Sequence, residues 1–127
     1  MRILIVEDTV TKYVEISRVL RGLCDAQIDN EKALEPAKEM FDKAGREDEP
    51  YHLVITDMHF PIESGGEEVP DAGYQLIEYI QKEHPELPII ICSSVRYSGN
   101  GVAGCVLYSD KTDLRAEFSK IFSDVLK

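Results

Sequence analysis

Three stretches of the chain carry continuous apolar runs: residues 2–6 (Arg-Ile-Leu-Ile-Val), 52–57 (His-Leu-Val-Ile-Thr-Asp) and 88–93 (Pro-Ile-Ile-Ile-Cys-Ser). None shows the polar alternation of a strand with one wet face, so all three are predicted as strands buried on both sides. A shorter run, Gly104-Cys105-Val106-Leu107-Tyr108, predicts a last strand, and residues 24–29 (Cys-Asp-Ala-Gln-Ile-Asp) predict a weak one at a sheet edge. Between these runs the apolar spacing turns helical. Val10, Tyr13, Val14 and Leu20 predict a helix over 10–21 with Gly22 as its stop. Leu34, Ala37, Met40, Phe41 and Ala44 predict a second helix from Asn30 to Gly45, with Pro36 tolerable only near its start. Leu76, Ile77 and Ile80 predict a third from Gly73, stopped by His84-Pro85, and Leu114, Phe118, Ile121, Phe122 and Val125 a closing one.

Two segments resist assignment. Residues 61–72 form an acidic loop punctuated by glycine and proline, too irregular for an element. Residues 95–103 contain Gly99, Asn100 and Gly101. Each glycine costs about 1 kcal/mol relative to alanine inside a helix, so no full helix is predicted there. Strand and helix alternate five times. That pattern specifies an α/β fold, a parallel sheet with helices on both faces, as one doubly wound domain over 1–127.

Composition narrows the function classes. The chain has 14 Lys and Arg against 24 Asp and Glu, a formal charge of −10. That balance argues against direct, unaided nucleic-acid binding, which depends on neutralising phosphates. No apolar run approaches the roughly 18 residues of a membrane helix. The opening run is short and meets Glu7-Asp8 at once, unlike a signal peptide. Cys24, Cys92 and Cys105 are unclustered, which indicates neither a zinc site nor a disulfide framework and fits a reducing cytoplasm.

The chemistry gathers at the strand ends. The apolar runs deliver Glu7 and Asp8, then Asp57, then Ser93, and Lys111 shortly after Tyr108. Right-handed crossovers bring such ends to one edge of the sheet, where ligands sit in open α/β folds. Two like charges ~4 Å apart cost about 4 kcal/mol at an effective dielectric of 20, so three carboxylates there call for a cation. Oxygen-only ligands with open positions suit Mg²⁺. Lys111 offers a compact positive charge and Ser93 a hydroxyl donor. Together these groups suit phosphoryl transfer onto a carboxylate.

The ordered motifs Ile-Leu-Ile-Val-Glu-Asp, Val-Ile-Thr-Asp-Met-His-Phe-Pro, Pro-Ile-Ile-Ile-Cys-Ser-Ser and Tyr-Ser-Asp-Lys resemble the receiver domain of two-component response regulators over essentially the whole chain. The resemblance implies a flavodoxin-like sheet of order 2-1-3-4-5. It implies that Asp57 accepts a phosphoryl group from a histidine kinase or phosphotransfer protein. Glu7, Asp8 and Asp57, with the backbone carbonyl of His59, would hold Mg²⁺. Ser93 and Lys111 would bind phosphoryl oxygens, and Tyr108 would be the aromatic that turns on activation. The expected output is contact with a downstream protein, with catalysis limited to the domain's own phosphorylation and dephosphorylation.

Departures accompany the match. Thr112 follows Lys111 where the family has proline, the 61–72 loop is long before Gly73, the region after Ser94 is eroded, and no output domain is expected after Lys127. The missing proline and the eroded region support an alternative, a degenerate receiver that binds proteins without phosphorylation, while the intact Glu7, Asp8, Asp57, Ser93 and Lys111 argue against it. A flavodoxin-like cofactor binder fits less well, because Glu7-Asp8-Thr9 would repel a phosphate after the first strand. His52 and His84 read as structural, and Cys92 and Cys105 as small buried hydrophobes. The acidic loop reads as a solvated insertion, with a partner-gating role left open.

Overall fold

A computed structural model describes residues 1–98 and 101–125. Five parallel strands form one sheet: β1 (Arg2–Val6), β2 (Gln27–Glu31), β3 (Leu53–Thr56), β6 (Ile89–Ser93) and β7 (Gly104–Leu107). Their order is β2-β1-β3-β6-β7. A two-stranded hairpin, β4 (Phe60–Pro61) and β5 (Glu68–Val69), stands outside it. Without the hairpin the sheet order is 2-1-3-4-5, the flavodoxin-like order that the motifs imply. Helices α1 (Val10–Leu23), α2 (Leu34–Arg46), α3 (Ala72–Glu83) and α4 (Leu114–Val125) cover both faces. Among the described residues, no helix is long and apolar enough to cross a membrane.

The continuous apolar runs produce this double cover through the period-two geometry of a strand. From β1, Ile3 and Ile5 join a core with Ile16 and Leu20 of α1 and Phe118 and Phe122 of α4. Leu4 and Val6 join the opposite core with Leu34 and Ala37 of α2 and Leu76, Ile77 and Ile80 of α3. Each run must therefore be apolar at every position, because both faces of the sheet are dry.

Element ends differ from the sequence reading in several places. The edge strand β2 begins at Gln27, not Cys24, and extends to Glu31, because its ladder is fixed by β1, with Arg2 opposite Gln27 and Val6 opposite Glu31. Helix α2 accordingly starts at Leu34, and Asn30 belongs to the strand. Helix α1 does not stop at Gly22. That glycine instead admits α4: a Cβ there would lie 2.6 Å from Arg115 Nη1, and Arg115 donates to the Gly22 carbonyl at 3.3 Å.

The 61–72 segment, expected to be irregular, holds β5 and the end of β4. Two-residue strands leave no period to read. The hairpin is anchored by the fully buried Phe60 and by the Ile62 carbonyl, which accepts from the Glu35 amide at 2.9 Å. Residues 95–98 and 101–103 contain no helix. The part of that expectation resting on Gly99 and Asn100 lies outside the described residues. All described peptide bonds are trans, Lys111–Thr112 among them.

Candidate functional site: an acidic pocket at the strand ends

Asp57 leaves β3 directly above the buried Thr56, and its amide donates to the Val6 carbonyl at 3.1 Å, which extends the β1–β3 ladder by one step. Its Oδ1 accepts from the Met58 amide at 2.7 Å, leaving Oδ2 to face the pocket. The start of α3 fixes the backbone behind it. The Gly73 amide donates to the Met58 carbonyl at 2.9 Å, and a Cβ at Gly73 would lie 2.5 Å from the Asp57 carbonyl oxygen. Only glycine allows so close an approach of two backbones.

Glu7 and Asp8 continue β1. Glu7 is only 2% exposed, and its Oε2 accepts from the Thr9 amide at 3.0 Å. Burial pushes the Glu7 carboxyl up to about 6, against the lowering pull of Lys12. Asp8 Oδ1 is buried without a hydrogen-bond partner. One oxygen each from Glu7, Asp8 and Asp57 lies within 4.8 Å of the others. The β4–β5 hairpin adds a fourth acid at the rim: Glu68 contacts Asp8, and this hydrogen bond with Asp8's charge holds the Glu68 carboxyl above its ordinary range.

The pocket's cation comes from a residue that the sequence reading passed over. Lys12, on α1, is buried to 6% exposure. Its Nζ lies 2.8 Å from Glu7 Oε1, 3.3 Å from Asp57 Oδ2 and 2.8 Å from the Cys92 carbonyl, to which it donates. The ammonium thus makes one hydrogen bond, to the Cys92 carbonyl, and two ion pairs, with Glu7 and Asp57. It also sits 5.3 Å from the centre of the Tyr108 ring, within cation–π range. Burial alone would lower the Lys12 pKa; Glu7 and Asp57 outweigh it, and the net shift is upward.

A signal for this was present in the sequence. Lys12, Ile16 and Leu20 recur every four residues, so the lysine stands on the core stripe, where an unpaired lysine is almost never found. Of the four residues that predict the helix, Leu20 is buried in the core and Tyr13 packs against it, while Val10 and Val14 are 58% and 40% exposed. Glu68 gave no comparable signal, because nothing local ties a loop acid to a strand end.

The remaining expected site residues lie on the β6–β7 side. Ser93 is buried at the end of β6, and its Oγ accepts from the Val95 amide at 3.3 Å. Tyr108 donates from its amide to the Ser93 carbonyl at 2.8 Å and from its hydroxyl to Glu15 Oε1 at 2.9 Å. Burial and the Glu15 bond push the Tyr108 phenol up to about 12. Lys111 is exposed in the turn after β7, where its amide donates to Ser109 Oγ at 3.3 Å. Its ammonium makes no ion pair among the described residues. His59 has an exposed side chain between β3 and the hairpin. The site as described thus unites Glu7, Asp8, Asp57 and Lys12, places Ser93 and Tyr108 beside them, and leaves Lys111 outside.

The fold and this edge of the sheet define the class of structure the chain resembles: the receiver domains of response regulators. No family model and no curated protein matches the sequence. Solved structures match it over nearly its whole length. The Mn²⁺-bound form of response regulator Rcp1 superposes with a TM-score of 0.70 at 18% identity, covering 96% of this chain and 91% of that one. A response regulator receiver domain protein from Clostridium thermocellum gives 0.71 at 17%, covering 98% and 93%. The non-phosphorylated HemR receiver domain from Leptospira biflexa gives 0.70 at 20%, covering 99% and 94%.

Proposed function

We propose that the 127 residues form one receiver module in which Asp57 accepts a phosphoryl group from a phosphohistidine of a histidine kinase or phosphotransfer protein. The observation that carries this reading is the juxtaposition of Glu7, Asp8 and Asp57 at the ends of adjacent parallel strands, with Asp57 Oδ2 facing the pocket. Its side chain is 16% exposed, open enough to be reached by a phosphoryl donor.

A divalent cation fits these residues. The donor set is oxygen only, and Asp8 Oδ1 is a buried acceptor with nothing to accept from. Glu7, Asp8, Asp57 and the His59 carbonyl would hold Mg²⁺, which when bound supplies positive charge to the phosphoryl oxygens. The protein's own part is to orient Asp57 Oδ2 through the Met58 amide clamp on Oδ1, and to shield the attacking carboxylate from water. Ser93 offers its hydroxyl to a phosphoryl oxygen, Lys111 closes over the group from its exposed turn, and Tyr108 responds. The added charge would then alter contacts with a downstream protein.

The degenerate-receiver alternative draws further support from Lys111, which is exposed and makes no ion pair among the described residues. The two readings separate on exposure to Mg²⁺ and acetyl phosphate. A receiver gains one phosphoryl group, and Asp57→Asn, nearly isosteric, gains none while keeping its fold. A wild-type protein of unchanged mass, or equal labelling of the variant, selects the alternative.

A further inference from the structure

Burying an ammonium costs several kcal/mol unless strong partners meet it in good geometry. Lys12 is compensated by two ion pairs, with Glu7 at 2.8 Å and Asp57 at 3.3 Å, by a hydrogen bond to the Cys92 carbonyl, and by the Tyr108 ring on one side. Lys111, the lysine that the motif assigns to the site, is exposed and makes no ion pair among the described residues. The motif assigns a lysine to the site only at Lys111, whereas the lysine found among the acids is Lys12. Lys12 stands on a buried helix stripe, and Lys111 lies exposed in the turn after β7.

We propose that Lys12 is the resident counter-ion of the acidic pocket, a positioning residue that holds Asp57 against Glu7 and sets how tightly a divalent cation binds. The inference rests on the reading of Glu7, Asp8 and Asp57 as the cation and acceptor pocket. Their carboxylates together carry three negative charges when ionised; the Lys12 ammonium reduces this to two. A divalent cation must share Glu7 and Asp57 with that ammonium and meets its repulsion at short range. Weak binding in the resting protein follows. The same pairing aligns the acceptor before any cation arrives, because Met58 fixes one Asp57 oxygen and Lys12 the other.

The test is a Mn²⁺ titration of the full chain at neutral pH, read by the loss of free-ion electron paramagnetic resonance signal. Lys12→Met keeps the side chain's length and removes its charge. It should bind Mn²⁺ at least about tenfold more tightly than wild type, the direction required by removing a like charge from a low-dielectric pocket. Lys12→Arg and Lys111→Met should stay near wild type. Equal or weaker affinity in Lys12→Met, or a larger change in Lys111→Met, overturns the proposal.

Metal-linked thermal stability provides a second readout should the Met variant be loosely folded. A tighter site raises Tm further at the same Mn²⁺ concentration. The proposal requires a larger Mn²⁺-induced rise in Lys12→Met than in wild type, and an equal or smaller rise contradicts it. Neither readout involves phosphoryl transfer. Labelling of wild type with unchanged metal affinity in Lys12→Met would refute the counter-ion role alone. Tighter metal binding in Lys12→Met with an unlabelled wild type would refute the acceptor reading alone.

Discussion

Glu7, Asp57 and Lys12, at the β1–β3 end of the pocket, form one shielded ion cluster, whereas of the expected site residues that follow β6 and β7 Ser93 alone is buried and Lys111 stands in solvent. The first side is assembled from strand ends in direct ladder contact and from a helix joined to β1 by a three-residue connection. Its geometry is dictated by the sheet. The second side hangs on loops, with a short β7 whose ladder ends at Leu107. The difference teaches that Asp57, the proposed acceptor, is pre-oriented by the scaffold, while the groups expected to sense a phosphoryl group lie where movement is cheap.

The largest effect that would break this contrast comes from exchanging the charge on each side. Lys12→Met leaves Glu7 and Asp57 buried without a counter-ion and should destabilise the metal-free protein by about 3 kcal/mol at pH 7 in urea unfolding. Lys111→Met should stay within about 0.5 kcal/mol of wild type. Comparable losses in the two variants would erase the distinction.

Next in size is the backbone contact behind the acceptor. Gly73→Ala places a methyl 2.5 Å from the Asp57 carbonyl and 2.6 Å from Met58 Cα, neither of which can step aside. It should cost about 2 kcal/mol and disturb Asp57. Gly45→Ala, late in α2 with nothing within 4 Å of the added carbon, should instead stabilise by up to about 1 kcal/mol. Both shifts are read from the same urea curves, and a Gly73 variant as stable as wild type would mean the backbone gives more than its contacts allow.

A smaller, chemical contrast separates two neighbouring strands. Burial pushes the Cys92 thiol up to about 12, so thiolate there remains scarce from pH 7 to 9. Its alkylation in the native protein should stay slow across that range. Half-buried Cys105 on β7 should be modified first, as peptide mapping after brief iodoacetamide treatment would show. Early labelling of Cys92 would mean that the β6 end opens more readily than its packing indicates.

The sequence made the sheet legible because its interior strands are dry on both faces, so Ile3–Val6, Leu53–Ile55 and Ile89–Cys92 could be apolar at every position. The three strand-end acids were legible for the same reason, since a run that stops at a carboxylate marks the edge of the sheet. The hairpin was not, because two-residue strands carry no period and β4 is held through its own Phe60, buried in the core. Lys12 was legible only as a charge on the wrong stripe, recognisable once Ile16 and Leu20 were known to face the core. The setting of Lys111 could not be read at all: turn residues after a short edge strand take their direction from tertiary contacts, which spacing from Tyr108 does not encode.

The most direct test of the account is chemical identification of the acceptor. Protein treated with Mg²⁺ and acetyl phosphate is reduced with borohydride, which converts an aspartyl phosphate to homoserine, and is then mapped by peptide mass spectrometry. The account predicts homoserine at position 57 and nowhere else, dependent on Mg²⁺. Absence of homoserine at 57, or its appearance at Asp8 or another carboxylate instead, would contradict it.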